Sequence, residues 1–317
     1  MFTVTLFSGI VIMLSSKTWF SVWLGLEINL LSFLPIMLLS SPLAGEGGLK
    51  YFLVQALGSL LILETSLSWF MAPHSYLLFA APLALKLGAA PFHFWLPDVM
   101  KALPWRVNLI LLTIQKTGPL YLLSVASASY KLPLLIASVF SVVVGSLGGL
   151  NEMDLRKLMA FSSISHMGWM FTGMALNQIL WAGYFATYII TSLALIILLE
   201  NMNISSLSQL TAKNKNSLVA LLLFMSLGGF PPLLGFAPKW AVLVGTVSVS
   251  LPLSILLVAT SVLTLYYYTR AGLMTLSLGG TNLKMKPPAN NMIQTLLILV
   301  NVMGGGLYMY LWSSLTL

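Results

Sequence analysis

Residues Pro82 to Pro97 read PLALKLGAAPFHFWLP, and the place of one lysine in this run decides the fold. Lys86 lies roughly halfway along an apolar segment long enough to cross a bilayer, where a charged side chain costs about 2.5 to 3.5 kcal/mol. Further on, Pro91 has no N–H to give the carbonyl of Leu87, and Gly88-Ala89-Ala90 lowers the bulk around that gap. A freed carbonyl at membrane depth is tolerated only where protein or water satisfies it. The stretch therefore predicts an interrupted transmembrane helix that faces other helices beside a polar path.

The composition around it points the same way. Of 317 residues, 58% are hydrophobic and 7% charged, with a mean hydropathy of +0.95. Such a chain is an all-α polytopic membrane protein and not a soluble domain. Its apolar runs are continuous, whereas a β-barrel would alternate. The sequence has no cysteine, which removes disulfide frameworks, thiolate metal sites and cysteine-held Fe–S clusters. The three histidines are far apart and lack haem or zinc spacing. A net charge of +8 would suggest nucleic acid in a soluble protein, but here the basic residues fall singly between apolar runs. Met1 to Ser16 is apolar from its start and lacks a basic lead, so it reads as a span and not as a cleaved signal.

With about 20 residues per crossing, eleven spans are predicted, at roughly 2–16, 18–40, 48–70, 76–98, 104–127, 131–150, 153–175, 177–199, 217–247, 251–277 and 290–314. The polar connection Asn201 to Asn216 is too short for a separate core, although SSLSQL within it suits a short surface helix. Alternating the connections gathers Lys50, Lys101, Arg106, Arg156, Lys157, Lys213, Lys215, Arg270, Lys284 and Lys286 on one side, and only Lys17 and Lys131 on the other. This bias puts the N-terminus on the positive side and the C-terminus opposite.

Three basic residues remain: Lys86, Lys116 and Lys239, in the fourth, fifth and ninth spans. Glu27 in the second and His166 in the seventh lie at similar depth, and Glu64 sits off centre in the third. The ninth span repeats the device of the fourth. Pro231 and Pro232 free the carbonyls of Leu227 and Gly228, Gly228-Gly229 loosens the backbone, and Lys239 follows. A repeat of five helices has odd length, so its second copy enters the membrane inverted, with sites expected at the broken helices near the midplane. Residues 1–127 and 131–277 are the expected copies, and 290–314 an extra C-terminal helix.

With those residues in view, the chain resembles the antiporter-like membrane subunits of NADH:ubiquinone oxidoreductase, respiratory complex I. The likeness runs nearly end to end. It is carried by WLGLEINLLSFLP around Glu27, KYFLVQA at Lys50, LKLGAAPFHFWLPDV around Lys86, QKTGPL around Lys116, GGLNEMDLRKLMAFSSISHMGWM through His166 and SLGGFPPLLGFAPKW around Lys239. It implies a multi-pass core subunit of the mitochondrial inner membrane, with its N-terminus on the matrix side and its C-terminus towards the intermembrane space. That subunit would pump protons among other membrane-arm subunits while NADH, FMN, Fe–S clusters and ubiquinone stay on neighbours. By position, Glu27 resembles the glutamate paired with the lysine of the first broken helix, Lys86. Lys116 resembles the central lysine, and Lys239 the lysine of the second broken helix. Glu64, Gly118 and Glu200 depart from the family pattern.

The chemistry follows from the placement. Burial disfavours charge, and an opposite neighbour restores it, so a Glu27 and Lys86 pair can sit near balance and be tipped by a proton moving nearby. A cation at one buried lysine disfavours a cation at the next. Lys86, Lys116 and Lys239 are therefore expected to load protons, with Glu27 as the switching partner and internal water held by the freed carbonyls as the wire. The competing reading of the same residues is a set of buried ion pairs that fix helix register. His166, beside Ser163 and Ser165, suits a relay or a satisfied core histidine. His93 and Glu64 are further relay candidates: His93 is better read as a cap of backbone freed by the break, and Glu64 is equally a pathway member or a locally paired or water-facing acid. Gly145, Gly148 and Gly149 lack the dinucleotide-binding spacing and suit close helix packing. Trp95 and Trp105 read as interfacial aromatics. A stand-alone cation/proton antiporter and an inert scaffold subunit are the alternatives. No nucleophile or cofactor motif supports catalysis by this chain alone.

Overall fold

The computed structural model describes residues 1–42, 44–68, 76–126, 131–212, 217–276 and 292–316, and every regular element among them is helical. Among the described residues five helical stretches are long and apolar enough to span a membrane: Trp19–Leu38, Ala44–Ser66, Trp105–Ala126, Gln178–Met202 and Leu251–Thr275. The chain forms two compact units, Met1–Ser141 and Val142–Leu317.

In the first unit, α1 (Phe2–Ser15) packs on α2 (Trp19–Leu38). Thr18 starts α2 by accepting a hydrogen bond from the Ser21 amide at 3.4 Å. A Cβ on Gly25 would stand 2.9 Å from the Gly9 carbonyl, so two glycines bring these backbones together, as small residues do between membrane helices. Next come α3 (Ala44–Ser68), α4 (Tyr76–Leu87) and α5 (Trp95–Ala102), the last two filling the region expected to hold the first interrupted span. Asn108 closes the following corner, its amide donating to Met100 O at 2.9 Å and Leu103 O at 3.2 Å.

The region expected as an uninterrupted fifth span is two helices, α6 (Trp105–Leu112) and α7 (Ile114–Ala126). The Thr113 hydroxyl donates to Leu109 O at 2.7 Å, the back-bonding that bends helices. Pro119 then leaves the carbonyl of Gln115 without its usual helical donor. Lys116 sits just past this bend. The unit ends within α8 (Leu132–Gly148).

In the second unit, a Cβ on Gly145 would collide with the backbone of Ser165, and one on Gly148 with the Phe161 ring. These glycines let the end of α8 lie against α9 (Leu155–Leu176), the packing role expected for them. α10 (Gln178–Met202) closes on Asn203 in the left-handed region at φ +50°. The start of α9 is stitched to the chain after it, with Leu155 N donating to Ser205 O and Leu207 N to Met153 O, both at 2.9 Å. The short α11 (Leu207–Ala212) overlaps the SSLSQL stretch and runs two residues past it. α12 (Ser217–Gly228) and α13 (Phe236–Val247) are the second interrupted pair, followed by α14 (Leu251–Leu276) and α15 (Met292–Thr316).

Candidate functional site

The two interruptions share one backbone design. α4 ends at Leu87, and Gly88 follows at φ +68°. Ala89 N donates to Ala84 O at 2.9 Å and Gly88 N to Leu85 O at 3.1 Å. α12 ends at Gly228, and Gly229 follows at φ +82°. Phe230 N donates to Met225 O and Gly229 N to Ser226 O, both at 3.0 Å. Each is a Schellman turn, closed by a glycine because only glycine enters the left-handed region without a steric cost. The interval to the next helix is also the same, Gly88 to Trp95 and Gly229 to Phe236. The sequence reading named Pro91, Pro231 and Pro232 together with Gly228 and Gly229 as the breaking residues, and gave Gly88 only a loosening role. In the structure the glycines end them, and Pro91, Pro231 and Pro232 lie beyond the turns, where they prevent the helix from resuming.

Carbonyls at the end of α4 find partners inside the protein. The Gln55 amide of α3 donates to Lys86 O, and the Trp95 indole to Leu85 O, both at 3.1 Å. Trp95 and Trp105 are buried, so these rings serve the core and not an interfacial belt. The Ser141 hydroxyl accepts from Ala90 N at 3.2 Å. His93 accepts from Leu96 N at 3.0 Å through its backbone carbonyl, which starts α5, and its ring lies against Phe94.

Around the second break the lysine itself is the partner. The Lys239 ammonium donates to Gly228 O at 2.9 Å and lies 5.8 Å from the Trp169 ring centroid, within reach of its π face. Asn301 of α15 ties the turn, its side-chain carbonyl accepting from the Ser226 hydroxyl at 3.0 Å and its backbone carbonyl from Leu234 N at 3.0 Å. Gly235 passes so close to Ser226 that a Cβ there would overlap its carbonyl.

All three midspan lysines are buried, Lys86 at 6%, Lys116 at 3% and Lys239 at 4% exposure. In the first unit Lys86 and Lys116 line one cavity. The Lys86 stem runs across Gly58, where a Cβ would stand 2.9 Å from Lys86 Cγ. Glu27 is half-buried, and its charge acts on Lys86 through space, with no ion pair between them within 4 Å. Its Oε2 has no hydrogen bond among the described residues. In the second unit, His166 Nδ1 shares a 2.8 Å hydrogen bond with the Tyr184 hydroxyl, and its ring lies 5.1 Å from that of Tyr188. Glu64 is exposed on α3 and does not line the lysine cavity.

Sequence reasoning followed charge and so passed over the uncharged polar groups that complete these sites: Asn29, Gln55, Gln115, Tyr184 and Asn301. The signal was present, since an amide inside an apolar run also carries a desolvation cost that asks for a partner.

A model of the NADH:quinone oxidoreductase/Mrp antiporter transmembrane family matches residues 63–264. The chain is 38% identical to NADH-ubiquinone oxidoreductase chain 2 of Anopheles gambiae, over 97% of this chain and 95% of that protein. It is also 38% identical to the Bos taurus protein of the same name, over 91% of this chain and 86% of that one. Among solved structures, a chain of respiratory complex I from Thermus thermophilus superposes with a TM-score of 0.82 at 25% identity, covering 97% of this chain and 78% of that chain. An archaeal membrane-bound sulfane sulfur reductase matches in fold, with a TM-score of 0.85 at 17% identity over 99% of this chain and 74% of that chain.

Proposed function

Because the chain belongs to the NADH:quinone oxidoreductase/Mrp antiporter transmembrane family, we propose that it is a proton-translocating membrane subunit of NADH:ubiquinone oxidoreductase. In this reading it couples electron transfer elsewhere in the complex to proton movement through its own buried lysines. The observation that carries the proposal is the pair of matching helix breaks, each with a buried lysine beside it, Lys86 from the leading half-helix and Lys239 from the trailing one. Lys86 stands in the last turn of α4, and Lys239 donates to the last carbonyl of α12. A helix C-terminus favours a cation, so each break offers a place where a lysine can hold a proton inside hydrocarbon.

Lys86, Lys116 and Lys239 are the proposed loading sites. Glu27 biases Lys86 by its charge, and His166 with Tyr184 is the proposed relay in the second unit. Glu64, exposed on α3, and His93, whose backbone starts α5, are assigned no proton step. The matching Schellman turns support the reading of residues 1–127 and 131–277 as inverted five-helix copies within an eleven-span chain. The ten-to-two distribution of flanking basic residues supports a matrix-side N-terminus in the mitochondrial inner membrane. Redox cofactors belong to neighbouring subunits in this scheme, since the sequence has no cysteine to hold an Fe–S cluster.

Replacing Lys86 with Met in the assembled complex tests the proposal. Proton translocation per electron should fall sharply in sealed vesicles, and unchanged stoichiometry in Lys86→Met, Lys116→Met and Lys239→Met alike would refute it. A stand-alone cation/proton antiporter is the second reading, favoured by the family's inclusion of Mrp antiporters. Purification of the chain as an active solitary carrier, apart from any redox complex, would select it.

A further inference from the structure

The cavity shared by Lys86 and Lys116 has a polar lining that the loading scheme leaves unexplained. Its polar residues are Tyr51, Gln55 and Gln115, from α3 and α7. The Gln115 amide is held at both ends. Its Oε1 accepts from the Tyr51 hydroxyl at 3.3 Å, and its Nε2 donates to Asn29 Oδ1 at 3.2 Å. Gln55 commits its amide nitrogen to the Lys86 carbonyl at 3.1 Å, which leaves its oxygen as an acceptor. Gln55 and Tyr51 are 7% and 3% exposed. Lys86, Lys116, Tyr51, Gln55 and Gln115 thus line a space with about 10 Å³ open to the centre of a water molecule. That is about the room for one water, which needs two to four polar partners.

Chemistry favours such an intermediary. An ammonium group is a donor only, so two protonated lysines cannot hydrogen-bond to each other. A water between a protonated and a neutral lysine accepts from the first and donates to the second. The proton can then pass without either chain crossing the gap. One N–H bond breaks as an O–H bond forms on the water, and a second O–H of that water breaks as an N–H forms on the receiving amine. Atoms and charge balance with no further reactant. Leu87, Leu96, Leu111 and Trp95, whose indole N–H is committed to Leu85 O, complete the wall, and their apolar surfaces leave the water few other orientations.

We propose that Tyr51, Gln55 and Gln115 form a single-water site between Lys86 and Lys116, in which Gln115 is the positioning residue that keeps the water in line for proton transfer. The inference rests on the reading of these lysines as proton carriers. Gln115 is suited to the task because it precedes Lys116 directly, past the bend at Thr113, so pinning its amide also fixes where the Lys116 side chain leaves α7.

The test uses the assembled complex in sealed vesicles. Gln115→Leu keeps much of the volume and removes both amide bonds, while Tyr51→Phe removes one oxygen and covers the case in which the first variant fails to assemble. Redox-driven proton translocation should slow roughly tenfold, the factor expected when one hydrogen bond that holds the transfer geometry is lost. Its H2O/D2O rate ratio should change, and Gln115→Glu, which keeps the shape and an acceptor, should restore much of the rate. A merely structural role would lower the yield of complex and leave the isotope ratio unaltered. Wild-type translocation and isotope ratio in Tyr51→Phe, or an experimental density map with no water between the two lysines, would overturn the proposal. Lys86→Met and Lys116→Met measured alongside keep the outcomes apart. Loss of pumping in the lysine variants with none in Gln115→Leu and Tyr51→Phe refutes the water site alone, whereas unchanged pumping in the lysine variants refutes the loading scheme.

Discussion

The Lys239 ammonium donates to Gly228 O at 2.9 Å, so the second helix break supplies the acceptor for its own lysine. Pro232 lies four residues past Gly228 in the chain and has no N–H with which to claim that carbonyl. The Schellman turn uses the carbonyls of Met225 and Ser226 instead. The interruption thereby directs an acceptor at the buried cation, which offsets part of the cost of holding charge in the hydrocarbon region.

Gly229 should tolerate no side chain. A Cβ there would stand 2.9 Å from Lys239 Cδ, and its φ of +82° is costly for any L-residue. Gly229→Ala is expected to destabilise the subunit by about 1 to 2 kcal/mol and to displace the lysine from Gly228. Thermal unfolding of the purified complex gives the first effect, and proton translocation per electron the second.

Gly58 acts on the other lysine from a neighbouring helix. Gly58→Ala would press on the Lys86 stem at 2.9 Å, whereas a Cβ on Gly45 of the same helix meets nothing within 4 Å. The first substitution should therefore depress proton translocation while electron transfer continues. The second should leave both unchanged and add helix stability of about 0.5 to 1 kcal/mol. Equal effects of the two would remove Gly58 from any role at Lys86.

Asn301 should behave as a structural clasp. Asn301→Leu keeps the backbone bond to Leu234 and loses the side-chain bonds to the Ser226 hydroxyl and to Leu297 O. Leaving buried polar groups without a partner costs about 1 to 3 kcal/mol. A drop in midpoint temperature of the complex with reduced occupancy of the Lys239 position in an experimental map is the expected result.

Tyr184→Phe removes the hydroxyl that meets His166 Nδ1 at 2.8 Å and little else. A stability loss of about 1 kcal/mol accompanied by slower proton translocation would support the relay. The same stability loss with unaltered translocation would leave His166 a core histidine with a lost neighbour.

The sequence made the broken helices legible because lysine, glycine and proline are each costly inside a bilayer, so their coincidence at 82–97 and 226–239 stood out against apolar runs. It named glycines and prolines together and could not divide the work between them, since proline's missing donor is visible in one letter while a left-handed glycine depends on backbone angles that letters do not carry. The bend at Thr113 went unread for a similar reason. Threonine is ordinary in a membrane helix, and only its 2.7 Å bond to Leu109 O reveals the bend. Trp95 showed the converse error: its place near a connection suggested an interface, but the helix break folds the chain back and turns the indole onto Leu85. The amides at 29, 55, 115 and 301 bring several helices together, and their pairings join residues tens of positions apart that no local pattern connects.

The last helix hands its backbone to the second break, with Leu234 N bound to Asn301 O at 3.0 Å while the Asn301 side chain grips Ser226. Sliding α15 along its axis must either strain these bonds or drag with it the turn that presents Gly228 to Lys239. The C-terminal helix therefore works as a tether on the lysine's acceptor, and a neighbour that shifts it would have mechanical access to that buried charge.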